Sequence, residues 1–468
     1  MIADLKPYPE YKESGLTWLG QVPRHWDMRP AFGAFVPNHE RNHGMKEKTV
    51  LSLSYGRIVI KPVEKLHGLV PESFETYQIV NPGDIVLRTT DLQNDHTSLR
   101  VGMVRDRGII TSAYLALRTN TGVSSDFGFQ FLNVWDTSKA IYGYGSGLRQ
   151  NLDFSHFKRM PVAVPSPPEQ ATIVRFLDWA NGRIDQAIRA KRKIIALLNE
   201  QKQAIIHRAF THGVISKVNV SDTGNYWFPS IPEGWKVVSV RRVILHAIDG
   251  PHFSPNYVET GVPFISARNI KVDRWSLSDA KFITEKDYRE FSKRVVPQLG
   301  DVLYTKGGTT GVARVVDLQF PFQVWVHVAV LKIRKNMILP EYLALALNSP
   351  RCYEQAQLFT RGATNQDLGL NRMKNITLPL PVSLDEQQDL VNNVNEEIQP
   401  FTKAMRRIEK EISLLHEYRT RLIADVVTGK LDVREAAAKL SGEAPPDTVE
   451  DDIDLTIDPE TANEEAVV

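Results

Sequence analysis

The chain has 468 residues, 42% of them hydrophobic and 24% charged, with one cysteine, Cys352. At about 150 residues per domain this leaves room for three globular domains. It excludes wholesale disorder, a collagen, a disulfide scaffold and a cysteine-clustered metal site. The formal charge of +2 conceals ten acids and no Lys or Arg in residues 441–468, so residues 1–440 carry +12, a balance suited to a polyanionic partner beside a disordered acidic tail.

In chain order, no export signal opens the sequence and no apolar run reaches the roughly 18–20 residues that span a bilayer. A protein of the cytoplasm, with no membrane partner, is expected. Val22-Pro23-Arg24-His25-Trp26 is followed by short β-branched runs at 49–54, 58–60, 84–87, 101–105 and 109–117, punctuated by Gly, Pro, Asn and Asp. A helical stretch spans 127–139. Pro165-Ser166-Pro167-Pro168-Glu169-Gln170 then leads into a long helical pattern whose apolar stripe runs Ile173, Leu177, Ala180, Ile184, Ala187, Ile194, Leu198, Ile205.

The second half repeats the first. Ile231-Pro232-Glu233-Gly234-Trp235 answers the opening motif, strands are predicted at 263–265, 301–304, 312–316 and 324–333, and a helix at 340–357. Pro379 to Gln387 leads into a second stripe of Leu390, Val394, Phe401, Ala404, Ile408, Leu415 and Leu422. The two Glu-Gln pairs, Glu169-Gln170 and Glu386-Gln387, are offset by 217 residues, and the offset holds through both helices. The fold class is therefore α+β: two α/β-type globular halves separated by two long helices. A three-four stripe this long cannot be buried by one globule, so each helix needs the other, as an antiparallel coiled coil. The boundaries read 1–168 first half, 169–212 first helix, 213–228 linker, 229–385 second half, 386–430 second helix and 431–468 acidic tail.

Catalytic signatures are missing. There is no phosphate-binding G-x-x-x-x-G-K-[ST] loop, no G-x-S-x-G elbow and no Asn-Pro-Pro-aromatic string. His39-Glu40-Arg41-Asn42-His43 fits H-E-x-x-H, but Pro37 and Gly44 bracket a wholly polar segment, which favours a solvated loop over a zinc-binding helix. We expect no catalytic residue, no metal site and no cofactor in this chain. What remains is a set of polar, basic loops at equivalent places in both halves: Arg88, Thr89, Asn94, Arg149 and Gln150 in the first; His252, Ser254, Arg268, Asn269, Lys271, Lys306, Thr309, Arg361, Asn365 and Gln366 in the second. Each alone is an ordinary polar turn. Together they offer Arg, Asn and Gln for base edges, and Lys, Ser and Thr for phosphates.

The duplicated I/V-P-x-x-W openings, the G-D-I/V strands (83–87 and 300–304) and the Pro-rich Glu-Gln junctions into long helices resemble the DNA-specificity subunit of type I restriction–modification systems, over roughly residues 14–432. The resemblance implies two target-recognition domains reading a bipartite site in double-stranded DNA. It further implies helices that dock two methylation subunits, joined by motor–nuclease restriction subunits, with S-adenosylmethionine, ATP and Mg on those partners. Two other readings compete: a coiled-coil organiser with protein-binding halves, and an HExxH zinc protein.

Overall fold

The computed structural model describes residues 5–62, 73–95, 99–147, 150–213, 219–362 and 367–440. They form two units, one of residues up to Ala190 together with those from Glu411 onward, the other of Lys191–Lys410.

The first unit is organised by the turn 81–84. Gly83 takes a φ of +94°, in the left-handed region open to glycine. Asp84, buried behind it, accepts from Asn81 N at 2.9 Å and Arg118 Nε at 3.1 Å. Strand Ile85–Arg88 leaves this turn and becomes the inner strand of an antiparallel sheet, between Tyr114–Thr119 and Val101–Met103, with Phe35–Pro37 at the far edge. Helix Ser125–Thr137 packs Phe127, Phe131 and Leu132 into the same core.

The second unit repeats the device. Gly300 has a φ of +82°, and Asp301 accepts from Gln298 N at 2.7 Å and Lys332 Nζ at 2.6 Å. Strand Val302–Thr305 lies between Val328–Ile333 and Ala313–Val315, with Ile244–Asp249 outermost, the same order as in the first sheet. The extra layers differ. The first unit adds a hairpin, Leu51–Ser54 with Arg57–Ile60, and a strand pair, Gln78–Val80 with Gly108–Ile110. The second adds a four-stranded sheet in which Val262–Ile265 pairs parallel with Gln323–Val324.

Three predicted runs divide. The run 109–117 breaks at a turn closed by Tyr114 N to Thr111 O (3.2 Å), and Gly108–Ile110 joins another sheet. The run 324–333 breaks at Trp325, where Val328 N bonds Trp325 O (2.9 Å). The helix 340–357 is two, Pro340–Leu347 and Pro350–Phe359, because Pro350 cannot donate and pushes Ser349 to extended backbone (φ −71°, ψ 153°).

The long helices run Pro167–His212 and Leu384–Val427, 46 and 44 residues, and they contact one another. In the first unit Ile173, Phe176, Leu177 and Ala180 share a core with Leu422, Val426 and Val427, and Asp185 pairs with Arg419. In the second, Ile206, Ala209 and Phe210 share a core with Leu390, Val391, Val394 and Ile398, and Arg208 reaches Glu397 at 2.6 Å. In both units residue numbers rise along one helix as they fall along the other, so the pairing is antiparallel. The predicted stripe is buried chiefly where a globular core covers it. Ile194 is 46% exposed, and Phe401, Ala404 and Ile408 are half-buried, since one helix alone shields only part of another.

Residues 431–440, assigned to the tail from sequence, belong to the first unit instead. Val433 and Ala437 are buried in its core, helix Arg434–Ala438 caps it, and Asp432 N bonds Lys6 O at 2.7 Å. The remainder of the expected tail, 441–468, lies outside the described residues.

Each long helix is fastened at its first turn by the Glu-Gln pair. Glu169, buried, accepts at Oε1 from the Trp26 indole N–H (3.1 Å) and the Tyr8 hydroxyl (2.8 Å), while His25 Nε2 lies 2.9 Å from its Oε2. Glu386 accepts from the Trp235 indole at 2.7 Å. Gln170 donates to Gly122 O and Pro165 O and accepts from Ser124 N, all at 2.8 Å. Gln387 donates to Met337 O and Pro381 O and accepts from Leu339 N. The P-x-x-W and Glu-Gln motifs are thus two ends of one joint.

Removing a buried acceptor orphans its donors. Glu169→Ala should destabilise the first unit by about 2–4 kcal/mol. Glu386→Ala, whose carboxylate is exposed, should cost the second unit less. Hydrogen-exchange protection of each unit in graded urea measures both; equal costs would contradict the account.

Candidate nucleic-acid interface

In both units a buried cation ties down the loop following the inner strand, from outside the loop in the first unit and from within it in the second. In the first, Arg100 is fully buried, and its guanidinium donates to four backbone carbonyls, Arg88 O (3.3 Å), Thr90 O (2.9 Å), Asp91 O (3.2 Å) and Asp95 O (2.6 Å), and to the Tyr142 hydroxyl (3.2 Å). Its own backbone N–H bonds Asp136 Oδ2 at 2.6 Å. Burial pushes the Asp136 carboxyl up, against that hydrogen bond. Leu152 N then ties the loop to Thr89 O (2.8 Å), and Asn151 Oδ1 accepts from Asp91 N (3.1 Å). Gly145 lets the chain double back, since a Cβ there would sit 2.9 Å from Asn151 O.

In the second, the cation is Lys306, buried, with Nζ 2.9 Å from Asp367 Oδ1 and 3.4 Å from Asp249 Oδ2. Leu368 N bonds Lys306 O at 2.8 Å, as Leu152 does Thr89. Asp249 ends its strand, pairs with Arg294 and lies 3.5 Å from His252 Nε2. Burial alone would raise its pKa, but the Arg294 hydrogen bond and the Lys306 charge hold it below the usual carboxylate range. Gly307 is required where it stands, because a Cβ would fall 2.1 Å from the His327 ring.

The sequence-predicted residues therefore separate by environment. Asn94, His252, Ser254, Thr309 and Arg361 are exposed; Arg88, Gln150, Arg268 and Lys271 are half-buried; Thr89, Asn269 and Lys306 are buried. Arg88 lies 3.3 Å from Asp95, Asn94 donates to Asp91, and Gln150 donates to Tyr142 O and Tyr144 O. The Thr89 hydroxyl donates to Ala113 O. Asp249 and Asp367 bring His252, Lys306 and Arg361 together, the last through a backbone bridge between Arg361 and Asp367. Arg268, Asn269 and Lys271 belong to a separate loop. Arg149, Asn365 and Gln366 lie outside the described residues.

Sequence reading missed Arg100, Asp249, Arg294 and Asp367. An alignment signal for Asp367 existed: Leu152 and Leu368 match at an offset of 216, which sets Asn151 against Asp367. Arg100 is marked by nothing beyond its place before an apolar run.

The stretch His39–His43 is not helical, and Asn42 within it is fully buried, so its histidines do not share a helix face. Among the described residues no three His, Cys, Asp or Glu side chains are grouped to hold a metal ion, and no helix is long and apolar enough to cross a membrane.

Asp249 supplies a pH test. A depressed folded pKa stabilises above the unfolded value, about 3.9, and that contribution is lost as pH falls through the folded value. The urea midpoint of the second unit should drop on acidification below about pH 4. Asp249→Asn should lower that midpoint near neutrality and flatten its acid limb. An unchanged acid limb would contradict this role.

Known proteins agree with this architecture. The family described as "Type I restriction modification DNA specificity domain" matches residues 232–413. The chain is 22% identical over 327 residues to the type I restriction enzyme EcoBI specificity subunit of Escherichia coli, covering 65% of this chain and 68% of that protein. It is 23% identical over 207 residues to the StySPI specificity subunit of Salmonella potsdam, 43% and 44% of the two chains. A chain from a structure of the type I R-M system, concerned with complex assembly and conformational transition, shares the fold at a TM-score of 0.53, with 16% identity, over 88% of this chain and 99% of that one. Residues 232–413 thus match the specificity-domain family of type I restriction–modification systems, and the chain is similar to specificity subunits of such systems over about two thirds of its length.

Proposed function

We propose that this chain is the non-catalytic DNA-reading subunit of its restriction–modification complex, and that each globular half reads one half-site of a bipartite duplex target. The observation that carries the reading is the duplicated sheet end: in both units a buried cation, Arg100 or Lys306, fixes a loop that turns polar side chains to solvent. On this reading Thr89, Asn269 and Lys306 position the loops, and the exposed Asn94, His252, Ser254, Thr309 and Arg361 meet DNA, with Arg88, Gln150, Arg268 and Lys271 at the margin. Arg149, Asn365 and Gln366 complete the candidate set on sequence grounds. The layers that differ between the units, the hairpin of the first and the four-stranded sheet of the second, suit two unlike half-sites. Phosphate contacts orient such a protein and base-edge contacts specify it.

The long helices hold the two readers and dock two methylation subunits, with motor–nuclease subunits joining for restriction. S-adenosylmethionine, ATP and Mg reside on those partners, and the assembly works in the cytoplasm.

Selection from a random duplex library tests the reading. Two specified segments separated by an unspecified gap should emerge, with affinity falling steeply with salt. Ungapped or absent enrichment would favour the protein-binding organiser instead. Arg361→Ala should cost about 1–3 kcal/mol and relax one position of one half-site if it reads a base, or weaken all sequences alike if it holds a phosphate. Altered preference in both half-sites would contradict independent reading.

A further inference from the structure

The loop 266–276 of the second unit is locked from two sides. Within it, Asn269 Oδ1 accepts from Ser266 N and Oγ, both at 2.9 Å, and its amide donates to Ser276 O at 2.9 Å. Ile270 and Trp275 pair, and Lys271 N closes a tight turn on Arg274 O at 3.1 Å. Below, Trp275 donates to Asp317 at 2.5 Å, and the Arg314 guanidinium stacks 4.8 Å from its ring centre. This stiff hairpin carries Arg268 and Lys271 on one arm and Asp273 and Arg274 at its tip.

The tip meets the second long helix. Asp273 Oδ2 accepts from Arg406 Nε and its carbonyl from Arg406 Nη2, both at 2.9 Å, while Arg274 Nη2 lies 3.1 Å from Glu409 Oε2. Arg406 and Glu409 are three residues apart and so share a helix face. The two pairs have opposite polarity, so a reversed tip would set Asp273 against Glu409 and Arg274 against Arg406. The first helix adds Lys202, buried, whose ammonium is attracted by Asp273 and repelled by Arg406.

We propose that these crossed ion pairs are a positioning clamp that fixes the second half-site reader on the helix pair and thereby sets how sharply the protein discriminates gap length. The inference rests on the DNA-reading role proposed above. Asp273, Arg274, Arg406 and Glu409 act through the loop they hold and contact no base.

The test is the same library selection, with the full chain, scored for gap length as well as bases. The wild type should enrich one gap, and Arg274→Glu should lower its preference over a gap one base pair off by roughly three- to tenfold, the scale of a partly exposed ion-pair network, while both half-sites keep their bases. The exchange Arg274→Glu with Glu409→Arg should restore the preference. Arg406→Lys, which keeps the charge and loses the two-pronged grip, should fold and show an intermediate loss. Unaltered gap preference in Arg406→Lys and Arg274→Glu, or failure of the exchange to restore it, would overturn the clamp. A wild type that enriches no gapped target would overturn the DNA-reading role itself, and is distinguishable because it appears before any variant is made.

Discussion

A helix of more than forty residues bearing one continuous apolar stripe cannot be buried by a globule of about 150 residues, and this chain has two of them. At about 1.5 Å per residue each extends far beyond any single core. The stripe is satisfied in two ways. Within each unit a globular core closes over part of both helices, burying Ile173, Leu177 and Val426 in one core and Phe210, Leu390 and Val394 in the second. Beyond the cores the stripe is partly open, as at Ile194 and Ile408. The globular halves therefore depend on the helices as much as the helices on them.

Different forces do different work in that arrangement. Buried apolar area supplies most of the attraction, at about 25 cal/mol per Å². Charge adds less: Asp185 with Arg419 and Arg208 with Glu397 are partly exposed and worth little individually. Attachment comes from the Glu-Gln joints, where a carboxylate and an amide at the first turn hydrogen-bond to the adjoining domain. Glu169 is the stronger joint because its carboxylate is buried among three partners, whereas Glu386 stays exposed with one.

Much of this was legible in the sequence, because it is periodic or duplicated. The 217-residue offset exposed the repeat, and the P-x-x-W, Gly-Asp and Glu-Gln motifs each proved to have a hydrogen-bonded purpose that both copies share. Strand ends and the break at Pro350 were blurred, since a β-branched run does not announce the turn inside it and a helical pattern can outlast its helix. The interface was harder to read. Exposed loop residues such as Thr309 and Arg361 look in sequence like the buried Lys306 and Asn269, and burial depends on partners that no motif marks: the distant Asp249 and Asp367 for Lys306, the nearer Ser276 and Asp279 for Asn269. Arg100, whose guanidinium holds a whole loop, has no periodic neighbour to betray it.

The central proposal is that the antiparallel helix pair acts as the spacer between two independent DNA readers. Its most direct test lengthens the pair without touching either core, by adding four residues to each helix, in the exposed stretch after Lys193 and after Lys410, where a four-residue stutter is absorbed by local unwinding. The insertion adds about 6 Å, nearly two base-pair steps of about 3.4 Å. Sequencing the sites methylated by the reconstituted complex should show both half-sites unchanged and the gap longer by one or two base pairs. An unchanged gap, or altered half-site bases, would contradict the account.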